Sequence, residues 1–130
     1  SIMNLLLDTH IFLWLNDAPE QLSASARSSC ENPLNRLHLS LASVWEIQIK
    51  LQLGKLRLES SWRSMIETQR ETNGLLVLPI TLPHIEALGN LPSVHRDPFD
   101  RMIIAQALHE SMTIVTHDPA FSSYPVQVVS

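Results

Sequence analysis

Asp97-Pro98-Phe99-Asp100-Arg101-Met102-Ile103-Ile104-Ala105-Gln106-Ala107-Leu108-His109-Glu110 is the stretch on which the fold turns. Asp97 suits a helix N-cap and Pro98 the first helical position, while Phe99, Met102, Ile103, Ile104, Ala105, Ala107 and Leu108 leave almost no polar face between them. A helix that is apolar nearly all round belongs in the interior. Thr113 to Thr116 follows as a short strand, so a central helix feeds a strand of the sheet it must cover.

The same alternation runs towards the N-terminus. Asn4 to Leu7 is an apolar strand ending at Asp8, and Thr9 to Asn16 spaces Ile11, Phe12, Leu13 and Leu15 as a helix does. Ser23 caps a second helix that Asn32-Pro33 stops after Glu31, and Arg36 to Ser40 is a second strand. Ala42 to Leu53 is a third helix, with Val44, Ile47 and Leu51 on one stripe and Gly54 where helices commonly turn left-handed. Ser60 to Thr72 is helical as far as Asn73-Gly74. Leu75 to Ile80 is a buried strand in which Pro79 marks an edge or an end. Pro83 to Leu88 is a short helix, His117 to Ser122 a polar turn, and Gln127 to Val129 a last strand. Strands alternating with helices predict an α/β fold, with one parallel sheet covered on both faces, right-handed crossovers, and ligands at the carboxyl ends of the strands.

With 130 residues, 45% of them hydrophobic and 17% charged, the chain suits one domain with one core. That domain is expected over 3–130, because Met3 behind Ser1 and Ile2 reads as a native start after two leftover residues of an expression vector. A core of this size needs no disulfide or structural metal. Cys30 is the single cysteine, so no intrachain disulfide forms and a reducing, cytoplasmic compartment is expected. Neither a leader nor an apolar run long enough for the membrane is visible, since Asp8 cuts Leu5-Leu6-Leu7. The net charge of −4 argues against a nucleic-acid partner until its distribution is considered. Lys50, Lys55, Arg57 and Arg63 are clustered, and Arg96 and Arg101 bracket Asp97 and Asp100. Each basic residue alone reads as part of a solvated helix face; together they make a candidate phosphate track.

The acids carry the functional argument. Asp8 ends the first strand and Asp118 follows the Thr113 to Thr116 strand, so a parallel sheet sets both on one rim. Glu46 in the third helix, and Asp97 and Asp100 in the first turn of the buried helix, lie at the same end. Asp97 reads as a cap, with Asp100 at the third helical position facing the helix dipole. The others have ordinary readings too: Asp8 a cap, Asp118 a turn residue before Pro119, Glu46 a partner of Lys50 four positions on. Several acids crowded beside buried segments would repel one another, and a divalent cation is the simplest remedy. Oxygen ligation suits Mg²⁺ or Mn²⁺, whereas zinc would recruit His or Cys, and the six histidines show no paired ligand spacing.

Leu5-Leu6-Leu7-Asp8-Thr9-His10, Ser40-Leu41-Ala42-Ser43-Val44-Trp45-Glu46-Ile47, Asp97 to Ala107, and Val115-Thr116-His117-Asp118-Pro119-Ala120-Phe121 resemble, in order, the four signature blocks of PIN-domain nucleases, and most closely those of the VapC group of toxins. The resemblance spans nearly the whole chain. It implies a three-layer α/β/α fold, a homodimer, cleavage of RNA with Mg²⁺ or Mn²⁺, and silencing by a cognate antitoxin. Carried across block by block, it makes Asp8, Glu46 and Asp100 the principal metal-binding acids and Asp118 the fourth. Thr9 and Thr116 match hydroxyls that orient acids or water, and Asp97 is an extra acid beside the family position. The chemistry implied is that of an endoribonuclease: attack on a phosphodiester by a metal-activated water, with one ion or two. Lys50, Lys55, Arg57, Arg63 and Arg101 are the expected phosphate contacts.

Other readings fit less of the sequence. A phosphatase with an aspartyl nucleophile would want a second acid where His10 stands, and a phosphoacceptor domain a lysine after a late strand, whereas Lys50 and Lys55 both come early. A partner-binding module in which the acids are only caps is separated from a nuclease by metal binding. Trp14, Trp45 and Trp62 are expected in the core rather than as platforms for bases, so RNA shape and phosphate contacts would set substrate choice.

Overall fold

A computed structural model describes residues 2–93 and 97–130. Five strands, β1 (Asn4–Leu7), β2 (Arg36–Ser40), β3 (Leu76–Leu78), β4 (Thr113–Val115) and β5 (Val128–Val129), form one sheet in the order β3-β2-β1-β4-β5. All four pairings are parallel, with Leu5 opposite Leu37 on one side and Thr113 on the other. Among the described residues six α-helices connect them: α1 (Thr9–Asp17), α2 (Ala24–Glu31), α3 (Leu41–Gln52), α4 (Trp62–Asn73), α5 (Leu82–Leu88) and α6 (Pro98–Glu110). Among the described residues no helix is long and apolar enough to cross a membrane.

Alternation along β1 divides the interior in two. Leu5 and Leu7 face a core built from α1 to α4, with Ile11, Phe12, Ala26, Leu37, Leu39, Ile47 and Met65, while Leu6 faces a second core with Ile103, Ile104, Ile114 and Phe121. All three β1 leucines are fully buried, as expected of a central parallel strand with helices on both faces. The expected three-layer α/β/α architecture is therefore the observed one. From β1 the chain steps outward through β2 and β3, then returns to place β4 and β5 on the other side. The crevice where such an order reverses, between β1 and β4, is where open α/β sheets gather their ligands.

Several local expectations are corrected. The strand read over Leu75 to Ile80 is only Leu76–Leu78, and it is the sheet edge that Pro79 signals, with Leu76 and Val77 exposed rather than buried. The buried helix is buried only in its middle, Ile103 to Ala107, and Leu108 is exposed. Trp45 is 61% exposed, against the expectation that all three tryptophans are core, while Trp14 and Trp62 are half-buried. A 3₁₀ turn at Pro19–Gln21 was not foreseen. Helix termination follows the sequence closely: Gly74 adopts φ +69° and returns its N–H to Arg70 O, a left-handed end that costs glycine nothing.

Candidate active site

A cavity of about 340 Å³ opens at the carboxyl ends of β1 and β4, lined by Asp8, Thr9, His10, Ile11, Trp14, Glu46, Lys50, Asp97, Asp100, His117 and Asp118. The four acids expected as metal ligands are thus brought to one place, with Asp97 beside them.

Each is delivered by a different element. Asp8 continues β1, its N–H donating to Val115 O at 2.9 Å, and it sits at the N-cap of α1 without a side-chain capping bond. Its carboxylate instead accepts from Thr116 Oγ1, 2.8 Å from Oδ2. Thr116 Oγ1 in turn accepts the Asp118 N–H at 3.0 Å, so one hydroxyl ties the ends of β1 and β4 together. Asp118 caps the 3₁₀ turn Pro119–Ser123 through Ala120 N–H. Glu46, in the second turn of α3, is 5% exposed, and its two oxygens are separately held, Oε1 by Thr9 Oγ1 at 2.8 Å and Oε2 by Lys50 Nζ at 2.7 Å. Ser43, one turn before Glu46 on α3, hydrogen-bonds Thr9 Oγ1 at 2.9 Å. Its spacing from Glu46 was the signal that sequence reasoning passed over. Asp97 Oδ1 accepts the N–H groups of Phe99 and Asp100 at 2.9 and 3.1 Å, so Asp97 caps α6.

Burial and like charge both act on these carboxyls. Burial pushes Asp8 above the ordinary aspartate range, against the Thr116 hydrogen bond that pulls it down. Asp100 is pushed up to about 8, first by burial and then by the negative charges of Asp97, Asp8, Glu46 and Asp118. Lys50 moves the complementary way, raised by its hydrogen bond to Glu46 and by the charges of Asp97 and Asp100. Carboxylates that outnumber the other donors lining the cavity fit a hard divalent cation in chemistry. The acids do not form a closed cage: among the described residues no three His, Cys, Asp or Glu side chains are grouped to hold an ion as they stand.

Of the basic residues expected at phosphate, only Lys50 lines the cavity. Lys55 and Arg57 lie exposed just past the end of α3. Arg63 stacks its guanidinium 5.4 Å from the Trp62 ring centroid, in a separate groove. Arg101 donates to Pro92 O at 2.9 Å and holds the segment after α5. Arg96 lies outside the described residues.

The PIN domain family model matches residues 5–127. No curated protein matches the sequence. Solved structures share the fold. VapBC2 from Rickettsia felis, crystallised bound to a DNA fragment from its promoter, is 17% identical, with a TM-score of 0.72 over 98% of each chain. VapBC-1 from nontypeable Haemophilus influenzae is 21% identical, with a TM-score of 0.62 over 98% of each chain. FitAcB from Neisseria gonorrhoeae is 19% identical, with a TM-score of 0.59 over 97% of this chain and 96% of that one.

Proposed function

The chain belongs to the PIN domain family, and from that premise we propose that it is a divalent-metal-dependent endoribonuclease, the toxin of a toxin–antitoxin pair. The observation that carries the reading is the cavity at the β1/β4 crevice, where Asp8, Glu46, Asp100 and Asp118 arrive from four elements and two of them are pinned by threonine hydroxyls. Caps alone do not explain it: Asp8 occupies a cap position and makes no side-chain capping bond.

Asp8, Glu46, Asp100 and Asp118 would hold Mg²⁺ or Mn²⁺. When bound, the ion supplies Lewis acidity at the phosphodiester and lowers the pKa of water. The chain's own part is positioning. Thr116 fixes Asp8, Thr9 fixes Glu46, and Glu46 orients Lys50, whose ammonium uses one of three donors on Oε2 and keeps two for a phosphate oxygen. Lys55 and Arg57 extend that positive charge along the surface after α3.

The shared fold with VapBC2, VapBC-1 and FitAcB supports a cognate antitoxin as partner. A homodimer is supported by six large apolar side chains left exposed on three elements: Leu41 and Trp45 on α3, Leu76 and Val77 on β3, Leu82 and Ile85 on α5. A cytoplasmic setting agrees with the unpaired, buried Cys30.

Incubating the chain, freed of any partner, with total RNA tests the proposal. Cleavage is expected with Mg²⁺ or Mn²⁺, lost with EDTA and restored when metal is returned. Cleavage undiminished in EDTA would refute the metal dependence, and RNA left intact under every condition would refute the nuclease.

A further inference from the structure

Glu46 answers to two readings at once. The sequence allows it to be a helix-face partner of Lys50 or a metal ligand, and the structure gives one carboxylate both positions. It lines the acid cavity, and its Oε2 accepts from Lys50 Nζ at 2.7 Å. Thr9 Oγ1 holds the other oxygen at 2.8 Å, so both are engaged. Among the described residues Lys50 is the one lysine or arginine lining the cavity.

A pair four residues apart on an open helix face contributes little, because water solvates both ends. This pair is lopsided. Glu46 is buried, whereas 40% of the Lys50 side chain is exposed, so the ammonium keeps a way out to solvent and the carboxylate does not. Glu46 also acts by charge on Asp8 and Asp100, which makes the ammonium beside it the nearest compensation for the cluster. The two donors on Glu46 differ in what they permit. A hydroxyl is neutral and can stay on Oε1 when a divalent cation reaches the carboxylate. An ammonium and a dication on the same carboxylate repel each other, the more so where water is partly excluded.

Lys50 and the metal therefore compete for Glu46. We propose that Lys50 is a resident counter-ion of the site: it neutralises Glu46 in the metal-free protein and must release Oε2 before Glu46 can serve as a ligand, so that Lys50 sets how tightly the chain holds metal. This rests on the metal-dependent reading above and adds a regulation of the same site. A lysine suits the task, with a flexible four-carbon stem and a compact charged head that can move without disturbing α3. Thr9, by contrast, is a positioning residue that stays with Glu46 in both states.

The experiment is a metal titration without RNA. Mg²⁺ and Mn²⁺ affinities are measured by calorimetry at pH 8, with melting temperatures in EDTA and at saturating Mg²⁺, for wild type, Lys50→Met, Lys50→Gln, Lys50→Arg and Thr9→Val. Lys50→Met removes the charge and keeps most of the stem, which destabilises the metal-free state more than the metal-bound one. It is expected to bind metal about ten-fold tighter, the scale of a charged hydrogen bond that no longer has to be broken. It should also melt below the wild type in EDTA and gain more than the wild type from Mg²⁺. Lys50→Gln, which leaves a neutral donor for Oε2, should shift affinity the same way and keeps the test open if the methionine variant does not fold. Lys50→Arg retains the charge and should bind metal about as the wild type does. Thr9→Val should weaken metal binding. A merely structural pair would lower the melting temperature of Lys50→Met equally in EDTA and Mg²⁺ and leave affinity unchanged; that result overturns the proposal while the nuclease stands. So does weaker metal binding by Lys50→Met or Lys50→Gln, or tighter binding by Lys50→Arg or Thr9→Val. A wild type and variants that bind neither ion overturn this proposal and the metal-dependent reading together.

Discussion

Asp8 and Glu46 at the carboxyl edge of the sheet are nearly as deeply buried as His84 between α5 and α6, yet the two polar clusters follow opposite rules. Around His84, both ring nitrogens have a matched partner. Its Nδ1 accepts the Thr81 N–H at 3.0 Å, which leaves Nε2 to donate to Glu110 Oε2 at 2.7 Å, and Gln106 bonds Pro79 O beside it. One acid meets one imidazole, and the result ties α5 to α6. At the sheet edge, five acids share one cavity, and among the described residues Lys50 is the one lysine or arginine lining it. The His84 cluster holds one acid, whereas the cavity gathers five, and the like charges of four of them help to raise Asp100, as in a site prepared for a cation.

The contrast is tested hardest by removing charge from the crowded cluster. Asp8→Asn and Asp100→Asn should each lower RNA cleavage about a thousand-fold or more, because each removes a charged ligand from a site that works by charge. Both should fold. Asp100→Asn should also melt at a higher temperature than the wild type in EDTA. A carboxyl raised from 3.8 to about 8 by folding stabilises the fold fully only below its unfolded value and loses that contribution as pH rises towards 8. The advantage of the asparagine should therefore grow between pH 4 and pH 8. A variant less stable than the wild type across that range would show that the acids are not crowded at all.

Thr116→Val comes next. It deletes the hydroxyl that donates to Asp8 Oδ2 and accepts the Asp118 N–H, while keeping the side chain's shape. Loss of such an orienting partner typically costs about ten- to a hundred-fold in metal affinity or activity. The loss should diminish at high Mg²⁺ if Thr116 acts by holding a ligand, and persist if it acts on the chemical step.

His84→Ala should give the reverse pattern. It leaves the Thr81 N–H and Glu110 without their partner and opens a cavity between α5 and α6, a cost of about 2–4 kcal/mol by urea denaturation. Cleavage by the folded fraction should match the wild type. A folded but inactive His84→Ala protein would mean that the balanced cluster reaches the active site after all.

The sequence disclosed the crowded cluster more readily than the balanced one, for a physical reason. Asp8, Asp100 and Asp118 each stand at a strand end or a helix start, and a parallel sheet brings such ends together whatever the details of packing. Leu5-Leu6-Leu7 and Met102-Ile103-Ile104-Ala105 were legible for a related reason, since continuous apolar runs leave little choice of layer. His84 and Glu110 are 26 residues apart on two helices, and nothing in their local pattern announces the contact. Nor does local pattern show that Arg63 rests on Trp62 or that Arg101 serves the segment after α5. A charged side chain can be placed on an element from sequence, but the direction in which a long, flexible arm finds its partner depends on neighbours from elsewhere in the chain. Trp45 was misjudged similarly: α3 buries Ala42, Ser43, Val44, Glu46 and Ile47 and leaves the indole outside, edge-on to Phe99 at 5.3 Å.

The smallest expected effect falls on the acid that belongs to both kinds of chemistry. Asp97 lines the cavity and adds its charge to the burden on Asp100, yet its Oδ1 is already engaged by two N–H groups at the start of α6. Those amides would be orphaned at the helix end without it. Asparagine keeps an oxygen in the same place and ranks with aspartate as an N-cap, so Asp97→Asn should change stability by less than about 0.5 kcal/mol. Alanine should cost about 1 kcal/mol, which distinguishes the cap from the charge. Activity of Asp97→Asn should remain close to that of the wild type, in contrast with Asp100→Asn three residues on. If Asp97→Asn is as inactive as Asp100→Asn while melting like the wild type, then the charge of Asp97 serves the metal, and the line between capping acid and ligand acid must be redrawn to put it on the other side.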